Sequence, residues 1–261
     1  YNSRKWLKPF FGDLYANFKM ISAQDGKTAK NISKLIKPDL RQRIRVDGSL
    51  KPAAPRLKSK QRVPSQITAL IEGRKILTIV SSHFEDEQFA IHSVKKIPKE
   101  MRPILLIIPR HIERTETIRD QCTKADLKCT ILSELSEVSS ISDVYVSNQI
   151  GAPAVWLPLT NFALIGGTYC NVNGHNPWEP IQFGAAILHG SKTANFAEDF
   201  KELLASESST EILETDEMAK LITQTNFDQQ IKNASSLLQK KMSAIKDLSN
   251  DILLLVSSKP I

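Results

Sequence analysis

The densest group of residues able to hold a phosphorylated ligand is Gly166-Gly167-Thr168, followed closely by Asn173-Gly174-His175-Asn176-Pro177-Trp178-Glu179-Pro180. Paired glycines let a backbone approach a ligand closely. Pro177 suits the first turn of a helix capped by Asn176, and the unpaired N–H groups of such a helix start attract an anion. Glu179, beside the same opening, can accept hydrogen bonds from both vicinal hydroxyls of a ribose. An isolated N-P-x-E run serves equally as a plain helix cap; the glycine loop in front of it favours the ligand reading.

Two further polar clusters carry groups of the same kind. Arg110 follows the apolar run Ile104 to Ile108, where a guanidinium could hold a phosphate or stack on a base. His111 beside it reads as a cap or packing residue as readily as a catalyst. Ser81-Ser82-His83 ends another apolar run, and its hydroxyls and imidazole could reach a donor sugar or its phosphate. A serine-hydrolase elbow is excluded, because G-x-S-x-G is missing. Glu85, Asp86 and Glu87 suit a helix start whatever else they do. His83, His111 and His175 fall on three separate turns without paired ligand spacing, so no metal site is expected. Cys170 and Trp178 read first as packed residues.

These clusters need a scaffold that brings them together. Ile76 to Val80, Ile104 to Ile108, Cys129 to Leu132, Asp143 to Val146, Ala163 to Ile165 and Ala185 to Leu188 are short apolar runs that predict strands. Between them lie amphipathic stretches: Glu85 to Ile97, one carrying Ile118, Cys122 and Ala125 on one face, and one starting near Pro177. Apolar strands alternating with amphipathic helices predict a doubly wound parallel sheet covered on both faces. Ligands of such sheets bind outside the carboxyl ends of the strands, and all three polar clusters fall there.

The chain has 261 residues, 41% hydrophobic and 24% charged, an ordinary globular composition. Three cysteines without C-x-x-C spacing suggest neither a disulfide framework nor zinc, and fit a reducing compartment. No apolar run approaches the roughly 20 residues of a membrane span, so the chain as given is expected to be soluble. The net charge of +7 is concentrated at residues 41–62, where Arg41, Arg43, Arg45, Lys51, Arg56, Lys58, Lys60 and Arg62 face the acid Asp47. That strip could meet an anionic membrane surface or a phosphorylated substrate, or be a solvated linker. It carries no aromatic platform, so no nucleic-acid partner is expected. Before it, Phe18 to Ile21 and Ile44 to Val46 predict strands flanking a helix over Asp25 to Ile36. Pro52, Pro55 and Pro64 mark a linker, and Phe227 to about Leu248 a closing helix.

In this order the motifs resemble the 3-deoxy-D-manno-octulosonic acid (Kdo) transferases of lipopolysaccharide assembly. Gly48-Ser49-Leu50-Lys51 matches the family's G-N/S-L-K, Ser81 to Asp86 its S-T-H-x-G-E, and Pro109 to Arg114 its P-R-H-x-E-R. Gly166-Gly167-Thr168 and Asn173 to Pro180 match G-G-S and G-G-H-N-P-x-E-P, and Asn195 to Glu198 matches N-F-x-E. Departures are Glu85 for glycine, Asp86 for glutamate, Thr168 for serine, Asn173 for glycine, and Ile150-Gly151-Ala152 for M-G-E.

The resemblance implies a GT-B glycosyltransferase. Residues 1–50 would end a truncated N-terminal acceptor domain, 51–66 form a basic interdomain linker, 67–226 a Rossmann-like CMP-sugar-binding domain, and 227–261 a helix and tail. It also implies a CMP site made by Pro109, Arg110, Ile150, Gly151, Ala152, Asn176, Pro177, Trp178 and Glu179. Donor-sugar or phosphate contacts would come from Ser82, His83, Gly167, His175 and Asn195. Lys51 would stabilise transition-state charge, with no cofactor. The expected reaction moves Kdo from CMP-Kdo to a lipid A precursor with inversion. The general base and the acceptor surface would lie in a missing N-terminal half, at the cytoplasmic face of the inner membrane. A GT-B domain for another nucleotide sugar, or a non-catalytic nucleotide-binding module, is the alternative.

Overall fold

The computed structural model describes residues 8–58, 68, 71, 73–132 and 142–257. Lys60, Arg62 and Pro64 of the basic linker lie outside the described residues. The chain divides into two compact units: residues 1–54 with 239–261, and residues 55–238.

In the first unit, helix α1 (Lys8–Ala16), strand β1 (Ile21–Ala23), helix α2 (Gly26–Ser33) and strand β2 (Ile44–Val46) follow one another. The two strands pair in parallel, with Ile21 opposite Ile44. Asp25 caps α2 by accepting from Thr28 N–H at 2.6 Å, so the helix starts at the expected place but stops three residues before Ile36. The strand expected over Phe18 to Ile21 is instead β1, which begins at the last residue of that run. Much of the basic strip serves this unit internally. Arg41 donates to the Ser33 carbonyl, Arg43 to the carbonyls of Ala16 and Phe18, and Arg45 pairs with Asp47 and Asp251. Lys51 is exposed in a single 3-10 turn, Lys51–Ala53, anchored by buried Pro52.

The second unit is a seven-stranded sheet. Its members are β3 (Ile76–Ser82), β4 (Ile104–Pro109), β5 (Cys129–Ile131), β6 (Val144–Val146), β7 (Phe162–Ile165), β8 (Ala186–His189) and β9 (Thr210–Glu211). Every pair is parallel, in the order β5-β6-β4-β3-β7-β8-β9. The continuous apolar strands are explained by burial on both faces. Leu105 and Ile107 pack with one cluster and Ile104, Leu106 and Ile108 with another, and each such side chain contributes about 1.5–3 kcal/mol on burial. The first face is covered by α3 (Phe84–Lys95) and α4 (Thr115–Lys124), through Ala90, Ile91, Val94, Ile118 and Cys122.

The other face receives α5 (Ala152–Trp156) and α6 (Trp178–Ile181). Phe200 and Leu203 of α7 (Ala197–Ala205) pack there as well. Helix α8 (Thr215–Gln224) places Met218 and Ile222 in the first cluster. The closing helix α9 (Asp228–Ser257) runs nine residues past the expected Leu248. Its added turns carry exposed Ile252, Leu253, Leu254 and Val256 and so lack a buried stripe to mark them. Among the described residues no helix is long and apolar enough to cross a membrane.

The chain steps outward from β3 to β4 on one side and returns to β7 on the other. This reversal of strand order opens a crevice at the carboxyl ends of β3 and β7, the place where doubly wound sheets take ligands.

Candidate functional site

The crevice is shaped first by backbone. Ser81 adopts a positive φ of 59° at the end of β3, where the register with β4 shifts between Val80 and Ser82. Its carbonyl turns toward β7, so that a Cβ on Gly166 would lie 2.1 Å from Ser81 O. Any side chain at 166 would have to displace main chain. Beyond it the loop closes on itself: Gly174 N–H donates to Gly167 O at 2.8 Å, and His175 N–H to Gly166 O at 3.1 Å. Asn173 holds φ at 65°, a left-handed conformation that asparagine tolerates better than other non-glycine residues. Its replacement of the family's glycine is therefore structurally mild.

One buried carboxylate ties this loop to β3. Asp86, in the first turn of α3, accepts from the N–H groups of Gly167 (2.7 Å), Tyr169 (3.1 Å) and His83 (2.9 Å). Burial raises its pKa, opposed by those three donors. Neighbouring Glu87, fully buried, accepts from Arg114 at 2.6 Å and from the Ser82 hydroxyl at 2.9 Å. The acidic run at the start of α3 is thus more than a dipole match. The signal available in the sequence was membership of Asp86 in S-S-H-F-E-D and of Arg114 in P-R-H-I-E-R.

The loop and β3 meet through two imidazoles. His83 Nε2 and His175 Nε2 lie 2.9 Å apart with nearly parallel rings, 9° between planes. His111, after β4, brings its ring 6.0 Å from that of His83. Burial lowers the pKa of His83, with His111 and Arg114 acting in the same direction and Asp86 and Glu87 against it. Burial, reinforced by His83, Arg110 and His111, lowers His175 to about 4. Three strand-end turns therefore bring imidazoles together, and those of His83 and His175 are shifted toward the neutral form.

Several expected contacts take other positions. Ser82 is fully buried with its hydroxyl committed to Glu87, so it positions the strand end rather than facing the crevice. Trp178 is also fully buried, its indole N–H donating to buried Asp199 at 2.9 Å, which removes it as a wall for a base. Helix α6 spans four residues, and Asn176 Oδ1 already takes Trp178 N–H at 3.2 Å. A single turn sums few peptide dipoles, so the expected helix-start attraction for phosphate is small. Asn176 also donates to Glu179 Oε1 at 3.2 Å, leaving Glu179 half-buried beside the opening.

Pro109 is buried at the end of β4, Arg110 is exposed beyond it, and its N–H donates to Ser82 O. Gly167 packs against His175 and Val172, and Asn195 buttresses the loop by donating to Val172 O at 2.6 Å. Thr168 donates its hydroxyl to Ile165 O and accepts from Gly190 N–H, linking the ends of β7 and β8. Ile150 is 92% exposed, Gly151 starts α5 with positive φ, and Ala152 is buried, so this turn offers main chain rather than side chains. Lys51 belongs to the first unit; the other residues named here belong to the second.

This arrangement can be set beside known proteins. No family model matches. A 3-deoxy-D-manno-octulosonic acid transferase of Rickettsia felis is 24% identical over 251 residues, covering 95% of this chain and 52% of the relative. One from Haemophilus influenzae is 23% identical over 211 residues, covering 80% and 49%. Along most of its length the chain is homologous to the Kdo transferases. It spans about half the length of those curated relatives.

Among solved structures, the C-terminal CMP-Kdo binding domain of WaaA from Acinetobacter baumannii matches with a TM-score of 0.59 at 20% identity, over 67% of this chain and 97% of that one. Anabaena Alr3699/HepE in complex with UDP-glucose matches at 0.54 and 12% identity, over 95% and 66%. The fold is that of the GT-B glycosyltransferases.

Proposed function

We propose that this chain forms the donor-binding portion of an enzyme that transfers Kdo from CMP-Kdo to a lipid A precursor, inverting the anomeric centre. What chiefly supports the reading is the convergence of His83, Arg110 and the Gly166–Glu179 loop at the strand-order reversal. These are three of the motifs by which the chain resembles the Kdo transferases. Arg110 meets the phosphate of CMP and Glu179 the ribose hydroxyls. Pro109 and the main chain of Ile150, Gly151 and Ala152 border the nucleotide. His83 and His175 face the phosphate and sugar, while Ser82, Gly167, Trp178 and Asn195 hold the walls in place. The acceptor surface and general base come from outside this chain, at the cytoplasmic face of the inner membrane.

Calorimetry of CMP binding tests the assignment. Glu179→Gln should weaken CMP by about 1–3 kcal/mol, because an amide oxygen replaces a charged acceptor. Arg110→Ala should weaken CMP more than cytidine, which lacks the phosphate. Wild-type affinity in a folded Glu179→Gln protein makes Glu179 a helix residue without a ligand role. The UDP-glucose complex of the Anabaena neighbour motivates a second reading, a UDP-sugar site, and preference for UDP over CMP in competition decides for it. In a Kdo-transfer assay of the chain joined to an N-terminal half that supplies acceptor surface and general base, Lys51→Ala should lower kcat about 10²-fold or more while leaving CMP affinity nearly unchanged, as expected for a cation that meets charge formed in the transition state. An unchanged kcat removes Lys51 from the site.

A further inference from the structure

The contact between His83 and His175 constrains where protons can be. Nε2 faces Nε2 at 2.9 Å with the rings nearly parallel and their centroids 5.1 Å apart, a head-to-head hydrogen bond. Such a bond needs one nitrogen protonated and the other bare, so the two neutral rings take complementary tautomers. The ring that donates through Nε2 keeps a basic Nδ1. A proton added there leaves the bond intact and makes it charge-assisted. A second proton would set two N–H groups and two positive charges against each other at that distance, and the contact would break. The pair accepts one proton, not two.

The surroundings determine when that proton is held. Around the pair stand Arg110 and His111 from the turn after β4 and Arg114 behind them. The acids that act most strongly on His83 are Asp86 and Glu87. Asp86 is engaged by three backbone N–H groups, and Glu87 by Arg114, Ser82 and Gln121. Without a ligand, another positive charge is disfavoured, in line with the depressed pKa of both imidazoles.

We propose that His83 and His175 work as a single proton-accepting unit, so that a phosphate monoester entering this crevice binds with uptake of one proton from solvent. The ligand's two negative charges above its second pKa, near 6, supply the attraction that the empty cluster lacks. The inference rests on the crevice being the anion site, but it is independent of which nucleotide the site prefers.

The test is calorimetric titration of the full chain with CMP at pH 7.5, in buffers of different ionisation enthalpy. The dependence of the observed heat on the buffer gives the protons exchanged. Wild type should take up about one proton per CMP, and by linkage its affinity should weaken close to tenfold per pH unit from pH 6.5 to 8.5. The sign follows because a complex that holds an extra proton is disfavoured as protons become scarce. His83→Gln and His175→Gln should each abolish uptake and flatten that dependence, whereas His111→Gln should preserve both. A structural role alone would weaken CMP in the Gln variants without changing the proton count, and that result overturns the proposal.

Imidazole nitrogen NMR of the wild type, with and without CMP, reads the same protonation without a variant. Resonances of this pair that stay neutral on binding also overturn it. Inorganic phosphate serves as a second probe. If phosphate binds with histidine-dependent uptake and CMP does not bind, the proton-accepting pair stands and the CMP reading fails. If neither anion binds, both fall.

Discussion

Asp86→Ala should destabilise the protein by about 3–5 kcal/mol and remove measurable CMP binding. Three backbone donors, those of His83, Gly167 and Tyr169, converge on this buried carboxylate. Each buried donor left without a partner costs about 1–3 kcal/mol, and losses within one network are not additive. The consequence reaches the site because Gly167 N–H begins the loop that carries His175, while His83 N–H begins α3. Without the carboxylate, the direct tie between this loop and the start of α3, which sets the two imidazoles at hydrogen-bonding distance, is lost. Urea unfolding measures the stability, and amide exchange at Gly167 and Tyr169 locates it. A loss below about 1 kcal/mol would mean that the loop's internal bonds, Gly174 to Gly167 and His175 to Gly166, hold it unaided. Asp86→Asn, which keeps an acceptor oxygen, should lie between alanine and wild type.

Arg114→Ala should cost a similar amount, about 3–5 kcal/mol, by a different route. Glu87 is fully buried, and the Arg114 guanidinium at 2.6 Å is its ion-pair partner. Removing the cation strands a buried charge whose desolvation is no longer offset. The pair itself need not be a large net stabiliser, because both ions were taken out of water to form it. A double replacement, Glu87→Gln with Arg114→Met, should therefore recover most of the loss, since it removes the charge and keeps the volume. Thermal or urea unfolding of the single and double variants gives the coupling directly. If the double variant is as unstable as Arg114→Ala, the loss arises from packing, including that of Arg114 over the Phe84 ring, and not from the stranded carboxylate.

The sheet was legible because its physics is local. Ile76 to Val80 and Ile104 to Ile108 are apolar at every position, a pattern that needs cover on both faces, and the helices between them carry buried stripes such as Ile118 and Cys122. The glycine loop was legible from residue type: Gly166 and Asn173 occupy a close approach and a conformation that few residues accept. Helices α7 and α8 were not singled out, because Phe200 and Leu203, or Met218 and Ile222, become an apolar face only against the sheet they cover.

Tertiary structure decided which polar residues look into the crevice and which support it from behind. Ser82 and His83 are adjacent in a strand end, so their side chains leave in different directions: one is buried on Glu87 and the other meets His175. Trp178 lies between two residues expected at the ligand, yet one turn of helix rotates it into the core against Asp199. The partnership of His83 with His175 spans 92 positions and depends on β7 returning beside β3 after three other strands have formed the opposite side. Spacing along the chain carries no trace of such a contact, because its geometry arises from strand order, the Ser81 turn and the Asp86 anchor acting together.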